Sequence, residues 1–364
     1  MPTISLCMIV RDEEAVLARC LESVKDLVDE IVIVDTGSKD GTKEIAAFYT
    51  DKIYDFMWID NFAAARNYSF SRAMKEYCMW MDADDVLPAK EKEKLRSWKT
   101  KEWKSKLPDV VMMKYVTAFD EVGNGTFSFY RERLLKREKG FWWKGRVHEA
   151  IVPEGKIEYL DVSIEHHSKK KVYSDRNLRI YEKMKKDGII FEARDLFYYA
   201  RELYYHGKNR EAVDNFVKFL ALPEGFVENK VEACRIAAYC CYARNDEERA
   251  VDFLMQALKY RVPSGELCCD IGKHYFDRKE WETAIFWYKS ALQTPKKEIA
   301  GGFLAEDAYG YLPCLQLSVC YDRLGDKKRA WDYHCLAGRC KPYGKEYLQN
   351  KHYFTAQQKE PLLG

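Results

Sequence analysis

The chain has 364 residues, 47% hydrophobic and 32% charged, enough to bury the cores of two ordinary domains and too apolar to stay disordered. Sixty basic residues stand against 58 acidic ones, and this net charge of +2 gives no overall electrostatic grounds for a nucleic-acid partner or a membrane surface. The 12 cysteines include no CxxC pair and no finger-like Cys/His spacing, which reads as a reducing compartment without a disulfide framework.

Residues 4–10 form a nearly continuous apolar run, as in a strand buried on both faces. The run stops at Arg11-Asp12-Glu13-Glu14, too short for a signal-peptide core or a bilayer span, so the expectation is a soluble, cytoplasmic protein without a stable membrane anchor. Over residues 15–28 the apolar positions are Val16, Leu17, Cys20, Leu21, Val24 and Leu27, the 3.6-residue spacing of a helix. Ile31-Val32-Ile33-Val34 reads as a second buried strand and ends in Asp35-Thr36-Gly37-Ser38. A helix from Thr42, a strand around 53–58, a helix from Asn61 and a strand Met79-Trp80-Met81 come next. This βαβ rhythm predicts a mostly parallel sheet with helices on its faces, and ligands bound beyond the carboxyl ends of the strands. The basic run 90–106 carries glutamates at helical spacing and reads as a solvated helix face. From 111 to about 168 the pattern becomes shorter and strand-like, with a turn at Gly123-Asn124-Gly125.

Past about residue 175 everything reads as helix, in units that resemble one another. Ala212, Ala250, Ala284 and Ala330 recur at intervals of 38, 34 and 46 residues, each after a tyrosine-rich or cysteine-rich helical segment. This is similar to the tetratricopeptide repeat, a helix-turn-helix unit of about 34 residues whose small residues let paired helices pack closely.

Met81-Asp82-Ala83-Asp84-Asp85 succeeds a buried strand and gathers carboxylates, which suit hard cations such as Mg²⁺ or Mn²⁺. Alone, the D-x-D pattern fits a capping turn as well. Its neighbours at the other strand ends are Val10-Arg11-Asp12-Glu13, Asp35 with Ser38, and the helix stretch Phe62-Ala63-Ala64-Ala65-Arg66-Asn67. Each has an ordinary structural reading as a turn, a cap or an exposed arginine, but together they converge on one sheet edge. Downstream, Trp142-Trp143-Lys144-Gly145-Arg146-Val147-His148-Glu149 combines aromatic faces, a cation, a histidine and a carboxylate. Glu149 reads as a general base toward an acceptor, with Asp85 the next candidate. His166-His167 closes the α/β-like part.

Across the whole chain, specifically over residues 4–85 and around 145–149 and loosely in the helical half, the sequence resembles the family 2 glycosyltransferases of the GT-A fold, and more narrowly the bacterial sublancin-type peptide S-glycosyltransferases. That resemblance implies an α/β GT-A domain at 1–172, of the nucleotide-diphospho-sugar transferase kind, and an all-α tetratricopeptide-like repeat domain at 180–364. It assigns the nucleotide sugar to Val10, Arg11, Glu13, Asp35, Ser38, Arg66, Asp82, Ala83, Trp143 and His148. It assigns the metal, Mg²⁺ or Mn²⁺, to Asp84 with His167 ahead of His166. The implied reaction is inverting transfer from a UDP-sugar. The acceptor expected is a Ser, Thr or Cys side chain of a peptide or protein held by the repeats. Two other readings stand beside it: transfer to a cell-surface or lipid-linked glycan, and a non-catalytic scaffold with a decayed GT-A domain. The helices also suit a homodimer. No G-x-G-x-x-G or Walker motif points to another nucleotide enzyme.

Overall fold

The structure is a computed structural model that describes residues 1–102, 106–167, 174–296 and 304–359. The expected boundary at residue 172 lies outside these residues. The chain forms two compact units, one of Met1–Phe119 with Ser128–Ile190 and one chiefly of Phe191 onward, with Asp120–Phe127 added to it.

In the first unit the elements alternate as expected: β1 (Ile4–Val10), α1 (Leu17–Val24), β2 (Glu30–Asp35), α2 (Thr42–Ala47), β3 (Ile53–Asp55), α3 (Phe62–Arg72), β4 (Tyr77–Trp80), β5 (Asp85–Val86) and α4 (Ala89–Thr100). Beyond them lie three further strands, β6 (Val110–Phe119), β7 (Gly125–Lys136) and β8 (Ile157–His166), and then α5 (Arg176–Lys186). The stretch expected to hold shorter strands therefore holds the three longest. Helix α5, whose sequence already reads as helical, belongs to this unit.

The strands lie in the order β3-β2-β1-β4-β7-β6-β8-β5. The first four run parallel; β7 is antiparallel to β4, and β5 is antiparallel to β8. Both faces of β1 and β4 are buried, which explains their unbroken apolar runs. One core packs Leu6, Met8, Leu21, Met79, Val111 and Ile164 between the sheet and α1 and α4. Helix α1 turns Leu17, Cys20, Leu21 and Val24 inward, and helix α3 starts where the Asn61 side chain accepts a hydrogen bond from the Ala64 amide at 3.0 Å.

The second unit is a helical repeat domain. Its helices are α6 (Ala193–Tyr205), α7 (Asn209–Ala221), α8 (Val227–Tyr242), α9 (Glu247–Ala257), α10 (Gly265–Asp277), α11 (Trp281–Gln293), α12 (Tyr311–Arg323), α13 (Lys327–Cys340) and α14 (Lys345–Lys359). Ala212, Ala250, Ala284 and Ala330 each stand fourth in the second helix of a pair and are fully buried. Five residues before each alanine the backbone is left-handed, at Gly207, Asn245, Lys279 and Gly325. The next amide then reaches back across the turn, as Lys208 does to the Leu203 carbonyl at 2.9 Å and Asp326 to that of Tyr321 at 2.9 Å. These are Schellman closures of the first helix. Seven residues earlier again stand Ala200, Ala238, Gly272 and Ser318, and a side chain on Gly272 would come within 3.0 Å of the Tyr288 ring. The uneven spacing seen in sequence therefore falls between the pairs, while the geometry inside each pair repeats.

Among the described residues no helix is long and apolar enough to cross a membrane. All 12 cysteines are free, and ten are buried.

Candidate active site

A cleft of about 420 Å³ opens at the carboxyl ends of β1 and β4. Its walls bring together Val10, Arg11, Glu13, Arg66, Asp82, Ala83, Asp84, His148 and Glu149, nine of the side chains expected from sequence.

Arg66 stands at the centre. Helix α3 buries it, and its guanidinium donates from Nη2 to Asp82 Oδ1 at 2.7 Å and from Nε to Glu149 Oε1 at 2.5 Å. It lies 4.9 Å from the Trp80 ring and 5.0 Å from that of Trp143. Burial works against its charge, but the two carboxylates override burial and push the guanidinium pKa further up. In return Arg66 holds the Asp82 carboxyl below the usual carboxylate range, against the effect of burial. One cation thus ties the D-x-D turn to the loop that carries Glu149.

A second cluster sits at the end of β8. His166 Nδ1 lies 3.2 Å from Asp84 Oδ1 and 3.1 Å from Asp85 Oδ1, and the Tyr115 hydroxyl touches both Asp85 and His166 at 2.8 Å. Burial alone would depress the imidazole pKa, but the two carboxylates raise it to about 10. Asp84, Asp85 and His166 offer ligand atoms all within 4.8 Å of one another. Carboxylate oxygens with one imidazole nitrogen fit Mn²⁺ or Mg²⁺, so the residues present suit the ion that the resemblance implies.

At three expected positions the side chains stand elsewhere than the sequence reading put them. His167, the expected ligand, turns to Glu165 at 2.9 Å and stacks on Phe119, while His166 faces the carboxylates. The reason is register: β5 pairs Asp85 directly with His166, and opposed residues of an antiparallel pair share a face. Asp85 is fully buried, with Arg133 Nη1 at 3.2 Å from its Oδ2 and the Asp82 amide donating to the same oxygen at 3.0 Å. Its contacts are to the Asp82 amide, Arg133 and Tyr115, and it does not line the cleft. Trp143 is 1% exposed and packs edge-on against Trp80 beneath Arg66, so it supports the cleft floor and does not line it.

Asp35 and Ser38 also fall outside the cleft wall. Asp35 Oδ1 accepts from the amides of Gly37 and Ser38, each at 2.9 Å, and its buried Oδ2 finds no hydrogen-bond partner. The Ser38 hydroxyl accepts from the Asp12 amide at 3.0 Å, where the chain turns with φ +53° after β1. These residues shape the loop that presents Arg11 and Glu13.

Sequence reasoning missed Trp58, Arg131, Arg176 and Asn177, all on the cleft wall. Arg131 comes from β7 and Arg176 from α5, and neither lies in a local motif. Only the alternation of Arg131 and Arg133 along a strand, which puts both beside Trp80, hinted at a shared face.

An α/β unit with a carboxylate–histidine cluster and an arginine-bridged cleft at its strand ends is a GT-A-type domain. Residues 5–152 match the family described as "Glycosyl transferase family 2", and the first unit is a family 2 glycosyltransferase domain. Over 152 residues the chain is 36% identical to a TPR repeat-containing protein of Synechococcus elongatus, covering 42% of this chain and 36% of that one. It is 29% identical over 235 residues to the SPbeta prophage-derived glycosyltransferase SunS of Bacillus subtilis, covering 60% and 53%. It is 29% identical over 164 residues to the lipopolysaccharide core biosynthesis glycosyltransferase LpsC of Rhizobium meliloti, covering 42% and 58%. The matches thus span about a third to three-fifths of these relatives' lengths. Among solved structures, Staphylococcus aureus TarS 1-349 in complex with UDP-GlcNAc aligns at TM-score 0.41 and 13% identity, covering 71% of this chain and 92% of that one.

Proposed function

We propose that the protein is a metal-dependent, inverting glycosyltransferase that moves a sugar from a UDP-sugar onto a Ser, Thr or Cys side chain of a peptide or protein. The observation that carries this reading is the Arg66 bridge, which sets the carboxylate of Glu149 beside the D-x-D turn in one cleft.

Asp84 and His166 would hold the metal, Asp85 being already neutralised by Arg133. A divalent ion there supplies positive charge to a departing diphosphate. Val10, at the end of β1, and Arg11 and Glu13, just beyond it, would receive the nucleoside. Glu149 accepts the proton of the acceptor hydroxyl or thiol as that atom bonds to the anomeric carbon. The bond from that carbon to the diphosphate oxygen breaks as the new one forms, which inverts the configuration. Arg66 keeps Glu149 aimed until the acceptor arrives.

The repeat unit supports a peptide or protein acceptor, because stacked helix pairs build extended side-chain-lined surfaces. It suits a homodimer as well. Similarity to LpsC favours a second reading, transfer to a glycan. The deciding experiment is a donor screen on the full chain that scores UDP release from each UDP-sugar with Mn²⁺. One sugar should stand out, and its label should then pass to a peptide or a glycan acceptor. No release from any donor would leave only a non-catalytic scaffold.

A further inference from the structure

Glu149 sits in a loop that begins beyond β7, and a loop carboxylate serves as a base only if its backbone is fixed. The loop is closed at its stem by a reciprocal pair of backbone hydrogen bonds between Lys144 and Ala150, at 2.9 and 3.0 Å. Two of its residues, Gly145 and His148, take positive φ, and for a histidine that conformation persists only where surroundings impose it. What imposes it is one stretch of α3. The Phe62 amide donates to the Arg146 carbonyl at 2.9 Å, and Arg66 holds the Glu149 side chain. Asn67, next to Arg66, is 6% exposed; its Nδ2 donates to the Trp143 carbonyl at 3.0 Å and its Oδ1 accepts from the Trp143 amide at 2.8 Å.

The geometry points to Asn67 as a positioning residue for the transfer reaction. Its amide group imitates a neighbouring strand and locks the residue just before the loop stem, thereby fixing where Glu149 stands. Only a side chain that both donates and accepts satisfies Trp143. Aspartate can accept from the amide but sets a carboxylate against the carbonyl, and alanine leaves both backbone groups buried and unpaired. The inference rests on Glu149 being the base, and the test separates the two.

Asn67→Ala and Asn67→Asp should lower kcat for transfer or donor hydrolysis by about 10²-fold, the cost of a misplacement near 1 Å, with the donor KM changed by less than about threefold. The residue acting through Glu149 makes the effects non-additive: Asn67→Ala combined with Glu149→Gln should be no slower than Glu149→Gln alone. A purely structural role would multiply the two losses, and that outcome overturns the proposal. A harmless Glu149→Gln overturns the base assignment instead. Hydrogen exchange on the full-length wild type needs no variant to fold: the Trp143 amide should exchange as slowly as the Lys144 and Ala150 amides. A Trp143 amide exchanging at loop rates overturns the lock whatever the kinetics show.

Discussion

Arg66 makes two carboxylates tolerable side by side in one cleft, and it is the residue that both of them contact. With the pair Asp82 and Glu149 balanced by one guanidinium, Glu149→Gln keeps the shape and still accepts from Arg66 but cannot take a proton. Its kcat should fall by about 10²–10⁴-fold while calorimetric UDP binding stays as in the wild type. A loss below about threefold would assign the base elsewhere on the cleft wall. At the metal, Asp84→Asn should abolish the Mn²⁺ dependence of UDP binding, and His166→Ala should weaken it far more than His167→Ala, as titration calorimetry can show. Arg66, Asp82 and Asp84 could be named as candidates in sequence because they lie just beyond a strand or on the first turns of a helix, whereas Glu149, in the loop beyond β7, was named from the aromatic-rich motif at 142–149. The choice between His166 and His167 was not legible. It depends on which residue of β8 faces β5, and strand parity is fixed by pairing partners some 80 positions apart. The burial of Asp85 escaped for the same reason, since its partner Arg133 comes from β7.

At the level of elements, the repeat turns show what the spacing of small residues concealed. The alanines marked the second helices, but the first-helix position held by Ala200, Ala238, Gly272 and Ser318 varies in residue type, so only shared burial reveals it. The left-handed turn residue likewise varies, between glycine at 207 and 325 and side-chain-bearing residues at 245 and 279. This variation has a measurable consequence. A residue with a Cβ pays about 1–2 kcal/mol in the left-handed region, less what glycine loses in chain entropy. Gly325→Ala should therefore destabilise the protein by about 1 kcal/mol, and Lys279→Gly should stabilise it by up to about 1 kcal/mol. Urea unfolding monitored by helical circular dichroism would read both, and a Lys279→Gly variant less stable than wild type would contradict the turn geometry.

For the whole molecule, the division into units sets where the chain can be cut. A break near residue 174 would strip α5 from the first unit, and with it the buried Leu178, Ile180, Tyr181 and Met184. A chain ending after Ile190 keeps that packing. Such a fragment should still hydrolyse the donor slowly yet lose transfer to a peptide acceptor, measured as label passing to peptide relative to label released to water. Full transfer by the fragment would remove the repeats from acceptor binding. The two-part organisation was readable from the switch between βαβ rhythm and helical repeats. The assignment of α5 was not, because its periodicity matches that of the repeat helices while its apolar face is buried with the α/β unit.

Trp80 supplies an unplanned instrument. Its ring is 1% exposed and has three guanidinium groups around it, those of Arg66, Arg131 and Arg133 at 4.9, 4.7 and 3.8 Å. The emission energy of an indole tracks the electric field across it, and here that field is set by fixed cations, two of which line the cleft. An anionic occupant drawing on Arg66 or Arg131 should therefore shift the protein's ultraviolet fluorescence without any label. Trp80→Phe should reduce that response, leaving what Trp58 and Trp143 contribute, and the titration reads the cleft before any acceptor is known.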